Sequence, residues 1–282
     1  MPFAAKYYII QIMLSKKKTN KHLTIATALI MSRKKYSNES RTKLLKNIIS
    51  NIKDHVNVVL LPAGYYKVQG KADKLYKYAI NNVKTILSKS KSNMIVCFGV
   101  DGIKGSKTPD QMALAVSRKG LIALGRKFYP TDDEEINKAS DFQEKERGYN
   151  RQFVLKGKVM YLAVCNDAFG IRKIPLTNPG VDIVFDLIHV FNPHGVRGCS
   201  TGFFARHGLA GASKRWKVPV FASAVFINRS IPEKWPSGVV WNRGGISTRF
   251  WKYVFNPLKH DNELSVEGKN GEDALIRIFN HV

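Results

Sequence analysis

A cysteine at the end of an apolar segment is the residue of this 282-residue chain best placed to do chemistry. Cys165 follows Val159–Val164, a short run rich in β-formers, and precedes the turn-forming stretch Asn166–Gly170. Such a run predicts a buried strand that ends at the cysteine. Open α/β sheets bind their ligands at the carboxyl ends of strands, and amides of the following turn favour the reactive thiolate. The alternative is an inert core thiol, the commoner state of a free cysteine.

Two other segments end where they could bring partners to this thiol. Lys127 directly follows Leu121–Arg126, which together with Met112–Ser117 predicts a β-hairpin. Ala63 directly follows Asn57–Pro62, a continuous apolar run that predicts a strand buried on both faces. An ammonium group at a strand end can stabilise an oxyanion, whereas the alternative for Lys127 is one surface lysine among many.

The order and context of these segments resemble the carbon–nitrogen hydrolase (nitrilase) superfamily over about residues 22–250. That family has a catalytic glutamate, lysine and cysteine at strand ends. Arg126-Lys127 matches its "RK" motif after a hairpin, and Cys165-Asn166-Asp167 matches its cysteine strand, 38 residues beyond the lysine. The resemblance implies a four-layer α-β-β-α sandwich that assembles as a homo-oligomer, a dimer or larger.

The resemblance also implies roles in the hydrolysis of a small amide or nitrile. Cys165 is the expected nucleophile, which attacks carbon and forms a covalent thioester or thioimidate. Lys127 and the backbone amide of Asn166 are expected to stabilise the oxyanion of the tetrahedral intermediate. We expect no cofactor and no metal for this chemistry.

The departure from the family pattern is at the general base. Where the family has glutamate directly after the proline, this chain has Ala63, and alanine cannot move a proton. The polar segment Thr131–Gly148 holds Glu134 and Glu135 at the distance from Lys127 where the family often has a second glutamate. Glu135 is therefore a candidate displaced base. The alternatives are that both are solvated loop acids, or that Lys127 alone lowers the thiol pKa.

Several residues near these segments could line a pocket. Tyr65 and Tyr129 flank the expected site, although aromatic residues there could equally belong to the core. Asn192 falls where the family has a substrate-pocket loop, and is otherwise part of an ordinary turn. Three histidines in the same region lack the spacing of a metal site: His189, His194 and His207.

The composition bounds the remaining function classes. The formal net charge is +25, from 46 basic and 21 acidic residues, and this would attract nucleic acid or an anionic membrane. The basic residues are scattered and carry no nucleic-acid-binding signature. Three cysteines suit a reducing compartment, and no run is long enough to span a membrane. We predict a cytoplasmic protein with an N-terminal extension over residues 1–20 and one domain over residues 21–282.

The pattern of apolar residues predicts a mixture of helices and strands. The remaining predicted elements are strands at His22–Met31, Asn93–Val100, Gln152–Leu155, Val181–Asn192, Val218–Asn228 and Gly238–Trp241, and helices after the Ser37–Ser40 cap, at Lys71–Lys89 and at Phe203–Lys217. Three hypotheses stay open. The chain is an amide hydrolase, a catalytically degenerate relative that binds a ligand or a partner, or a basic scaffold that contacts nucleic acid.

Overall fold

The computed structural model describes residues 22–33, 36–52, 55–68, 76–90, 93–102, 111–131, 150–175, 177–247, 252–268 and 271–282. The strands in these ranges are β1 (Ile25–Ser32), β2 (Val58–Leu60), β3 (Tyr66–Val68), β4 (Ile95–Gly102), β5 (Gln111–Ser117), β6 (Gly120–Arg126), β7 (Gln152–Leu155), β8 (Lys158–Val164), β9 (Ile183–Phe191), β10 (Val220–Ile227), β11 (Gly238–Ser247), β12 (Lys252–Pro257), β13 (Asn262–Glu267) and β14 (Glu272–Phe279). The helical segments are α1 (Asn38–Asn51), α2 (Lys77–Ser88), α3 (Asp167–Lys173), α4 (Thr201–Phe203), the π-helical turn π1 (Phe204–Leu209) and α5 (Ala210–Trp216).

The strands pair in the order β6-β5-β4-β2-β1-β10-β9-β8-β7. The inner pairs from β4 to β8 are parallel, and antiparallel hairpins close both ends. Strand β1 joins the two halves, because Ile25–Thr27 pair with β2 and Leu29–Ser32 pair with β10. Its other edge pairs along Ile25–Ser32 with β14.

Three apolar cores make this sheet a four-layer sandwich. One core lies between α1, α2 and the outer face of the β2-β4-β5 half. A second lies between α3, π1, α5 and the outer face of β8, β9 and β10. The third lies between the two inner faces, where side chains of β2, β4 and β5 meet those of β8 and β9. The predicted α-β-β-α architecture is therefore confirmed.

The predicted elements are found, with boundary shifts. The cap of α1 is confirmed, since Ser37 Oγ accepts from the Ser40 amide at 3.1 Å and Ser40 Oγ accepts from the Ser37 amide at 3.0 Å. Helix α2 is described from Lys77, and residues 71–75 of its predicted span lie outside the described ranges. Helix α3 and the strands β3 and β12 to β14 were not predicted from the sequence. No helix in the described part of the chain combines the length and the apolarity needed to cross a membrane.

Candidate active site

Cys165 stands at a sharp junction between a strand and a helix. Strand β8 ends at Val164, the Cys165 amide still donates to the Leu187 carbonyl of β9 at 2.8 Å, and α3 begins at Asp167. The backbone of Cys165 has φ +52°, a left-handed conformation that costs a non-glycine residue of the order of 1 kcal/mol. Strained residues of this kind persist where a surrounding structure fixes them, which is common at active sites. The predicted strand-end position of the cysteine is what the structure shows.

The Asp167 side chain ties the cysteine strand to the segment that carries Lys127. Its Oδ1 accepts from the amides of Phe128 and Tyr129, each at 2.9 Å, and its Oδ2 accepts from the Val164 amide at 3.0 Å. Lys127 itself is fully buried, and its amide donates to a carbonyl of β5. A lysine is almost never fully buried without a specific reason. These contacts therefore separate Lys127 from the many surface lysines of the chain.

A histidine and an aspartate meet beside the cysteine, in the space between the two sheet halves. Asp101 lies on β4 and shares the inward face of its strand with Cys97, four positions earlier, while His189 lies on β9 and shares the inward face with Leu187. Nε2 of His189 is 3.0 Å from Oδ1 of Asp101, with 17% and 16% of the two side chains exposed. The carboxylate therefore accepts from Nε2–H, and Nδ1 is the ring nitrogen that remains for the thiol.

Electrostatics couple these groups to the thiol. Burial alone would raise the pKa of Cys165, but hydrogen bonds from the His189 side chain and backbone and the charge of Lys127 lower it below the ordinary thiol value. For His189 burial acts in the opposite direction and would lower the pKa. The Asp101 carboxylate and the Cys165 sulfur outweigh burial and raise the pKa of His189 to about 10. The arrangement thus favours a thiolate–imidazolium pair, the reactive state of a cysteine next to histidine.

The position expected to hold the catalytic glutamate is tightly packed. Ala63 is 3% exposed, and its amide donates to the Ile188 carbonyl of β9 at 3.2 Å. At the next residue, Gly64, an added Cβ would lie 2.4 Å from Oδ2 of Asp101 and 3.3 Å from Cδ2 of His189. The histidine–aspartate pair therefore lies directly against the turn that would present the family's glutamate.

Most of the predicted site residues come together around a cavity of about 690 Å³. Cys165, Lys127, Asn166, Tyr129 and Asn192 all line it. The Asn166 side chain fixes the wall by donating to the Pro130 carbonyl at 2.9 Å, and the Asn192 side chain donates to the Arg197 carbonyl at 2.6 Å.

Four predicted positions are not in this group, and one of them is Ala63, which packs in the core between the inner sheet faces. Tyr65 is fully buried in the core under α1, where its hydroxyl donates to the Arg41 carbonyl at 2.7 Å, so it is a core residue and does not line the cavity. Glu134 and Glu135 lie outside the described residues. No group of three potential metal ligands occurs among the residues that are described.

Sequence reasoning missed Asp101 and the acid–base potential of His189. From the sequence, the histidines are considered only as metal ligands, and Asp101 is assigned no role. One signal was present: His189 sits at an even spacing from Phe185 and Leu187 on an apolar strand, so it had to share their inward face. A polar, titratable residue on such a face requires a partner.

No protein-family model matches the chain. No curated protein sequence matches it either.

Solved structures do match. An amidase from Nesterenkonia sp. is 14% identical, with 91% of this chain and 90% of that chain covered and a TM-score of 0.57. A variant of the amidase from Nesterenkonia sp. AN1 in complex with butyramide is 13% identical, with 91% and 90% covered and a TM-score of 0.58. Another variant carries the acetamide moiety of fluoroacetamide on its active-site cysteine, at 13% identity, 93% and 91% coverage and a TM-score of 0.59. A further matching structure is of a variant of this amidase, which is described as coming from the nitrilase superfamily. The chain therefore has the carbon–nitrogen hydrolase fold.

Proposed function

We propose that this protein is an amide hydrolase in which Cys165 is the nucleophile and His189, oriented by Asp101, performs the proton transfers. The observation that carries the proposal is the position of His189, which lines the same cavity as Cys165 and lies 3.0 Å from the Asp101 carboxylate. A nucleophile, a base within its reach and a third group that orients the base form the general pattern of nucleophilic catalysis.

In the first half-reaction the Cys165 thiolate attacks the amide carbon, and the carbonyl π electrons move onto oxygen. The buried Lys127 ammonium and the Asn166 amide at the cavity wall stabilise this oxyanion. The His189 imidazolium gives its proton to the amide nitrogen, the carbon–nitrogen bond breaks, and ammonia leaves. The products of this step are a thioester on Cys165 and a neutral imidazole.

In the second half-reaction the neutral His189 accepts a proton from water as the oxygen attacks the thioester carbon. The oxyanion forms in the same place, collapses, and expels the Cys165 thiolate, which releases the carboxylic acid and restores the starting pair. One histidine therefore supplies both the acid and the base. The chain lacks a general base at Ala63, but His189 takes over that role, so deacylation does not depend on a carboxylate at residue 63.

The amidase structures support the proposal at the level of the fold and of an active-site cysteine that forms a covalent adduct with an amide reagent. The degenerate alternative would keep the cavity but lack a base that can activate water. His189 is such a base, and it lies in the cavity wall beside the thiol. We therefore favour turnover over mere binding.

The test is ammonia release from acetamide, propionamide and butyramide by the wild type and by Cys165→Ala. We expect release by the wild type and none above background by Cys165→Ala. Cys199→Ala is the matched control, because Cys199 is the other partly exposed cysteine and should leave the rate unchanged. Equal rates for the wild type and Cys165→Ala would refute cysteine-dependent hydrolysis of these amides.

A second measurement tests the role of His189. His189→Asn should lower kcat by about 10²- to 10⁴-fold, the usual contribution of a positioned acid–base group. Rapid quenching followed by intact-mass measurement should reveal little acyl-enzyme, because both half-reactions slow. A His189→Asn variant that keeps wild-type kcat would remove the proposed mechanism.

A further inference from the structure

The cavity beside Cys165 is lined by an unusual number of positive charges. Beyond Lys127, its described wall includes Arg172 and Lys173 from the end of α3 and Arg197 from the loop after β9. The oxyanion of an amide hydrolase requires only one or two donors near the thiol, so Lys127 suffices for it and the other cations are candidates for binding the rest of the substrate.

Arg172 is held in place by features of two neighbouring helical segments. Its Nη1 donates to the His207 carbonyl of π1 at 3.1 Å, and its guanidinium carbon lies 5.5 Å from the centre of the Phe169 ring. A Cβ added to Gly211 would lie 2.4 Å from Cδ of Arg172, so the arginine stem fills space that only glycine leaves open. π-helical turns of this kind occur frequently at functional sites.

The same cavity offers an apolar wall for the carbon chain of a substrate. The rings of Phe169 and Phe203 stack at 5.8 Å, and both line the cavity together with Val190 and Val196. Phe203 is 56% exposed, and a large apolar side chain left open at a cavity mouth is suited to contact a ligand. The wall therefore combines apolar surface with a positioned guanidinium.

We infer that the substrate is an amide whose carbon chain carries a carboxylate, and that Arg172 binds this carboxylate. A guanidinium presents parallel N–H donors that match a carboxylate in a bidentate pair. Lys173 and Arg197 add long-range attraction for the anion, as a cleft lined by one sign of charge does. This inference names the substrate class of the site and rests on the proposed function.

The first test compares matched amides. Succinamate is butyramide with its terminal methyl group replaced by a carboxylate, and glutaramate is one methylene longer. We expect kcat/KM for the better acid amide to exceed that for butyramide by about tenfold or more, the usual contribution of a charge-assisted hydrogen bond. Arg172→Met should abolish the preference, which is measured as the ratio of the two kcat/KM values within the same variant. Lys119→Met is the control, since this exposed turn lysine lies away from the cavity and should keep the preference.

The second test does not require turnover. In a Cys199→Ser background, the rate of alkylation of Cys165 is measured with iodoacetate and with iodoacetamide, and the ratio is compared with that of glutathione. We expect the ratio to be about tenfold higher for the protein, and lower again in Arg172→Met and Arg197→Met. A ratio equal to that of glutathione would overturn the inference whether or not any variant folds.

The two proposals can fail separately. Hydrolysis of butyramide that depends on Cys165, with no preference for either acid amide and no elevated alkylation ratio, would keep the proposed function and reject the carboxylate site. An elevated ratio that depends on Arg172, with no ammonia release from any amide, would keep the carboxylate site and reject hydrolysis.

Discussion

The substitution Asp101→Asn tests the part of the site that no sequence motif predicts, which is the carboxylate beside His189. Asparagine keeps the size and shape of the side chain but removes the charge that faces Nε2 of His189 at 3.0 Å, with only 17% and 16% of the two side chains exposed. A hydrogen bond to a charged group in such a place contributes about 1.5–3 kcal/mol. Because 1.36 kcal/mol corresponds to one pKa unit, the imidazolium should lose about 1–2 units of pKa.

That loss affects the thiol, because His189, together with Lys127, lowers the pKa of Cys165. We therefore expect the thiolate of Asp101→Asn to form at a higher pH than in the wild type, and kcat/KM for butyramide to fall about 10- to 100-fold near pH 7. The assays are the pH dependence of the thiolate absorbance at 240 nm and steady-state ammonia release. A thiolate titration and a kcat/KM that both match the wild type would refute the reasoning, since the carboxylate would then support neither group.

Four further outcomes follow from the same structure. Alkylation of Cys165 by iodoacetamide should stay fast below the ordinary thiol pKa of about 8.5 and decline only as pH falls through its lowered value; a midpoint at or above 8.5 would contradict this. Lys127→Met should raise the alkylation midpoint and reduce kcat by about 10²-fold, with unchanged kcat as the contrary result. Ala63→Glu should lower rather than raise activity and thermal stability, because position 63 is packed and a buried charge is costly. Increased ammonia release by Ala63→Glu would contradict this expectation. Glu272→Ala should destabilise the fold by about 3–5 kcal/mol in urea unfolding, because Glu272 pairs with the fully buried Arg41 at 2.7 Å; a change below about 1 kcal/mol would contradict the importance of this pair.

Local patterns in the sequence were enough to place Cys165, the proposed nucleophile, at a strand end. An apolar run that ends at Cys165 predicts a strand end, and a hairpin that ends at Arg126 places Lys127 at another strand end. Because the order of these segments resembles that of the nitrilase superfamily, the resemblance also implied the fold. These inferences succeed because strand periodicity and turns are encoded over only a few neighbouring residues.

Local sequence patterns did not predict the contacts between segments that are distant in the chain. Tyr65 follows Ala63 so closely that it was expected in the site, yet the inward turn of the chain at Gly64 carries its ring to the opposite face, under α1. The sequence likewise did not predict that the C-terminal strand β14 pairs with β1 along the whole length of β1.

The sequence by itself therefore determined the sandwich, the position of Cys165 and Lys127, and the absence of a glutamate at residue 63. Only the tertiary structure decided what stands beside the thiol. Asp101 and His189 are 88 residues apart in the chain and on different halves of the sheet, and they meet because the inner faces of β4 and β9 pack against each other. No periodicity within either strand can encode a pairing that depends on how two sheet halves close.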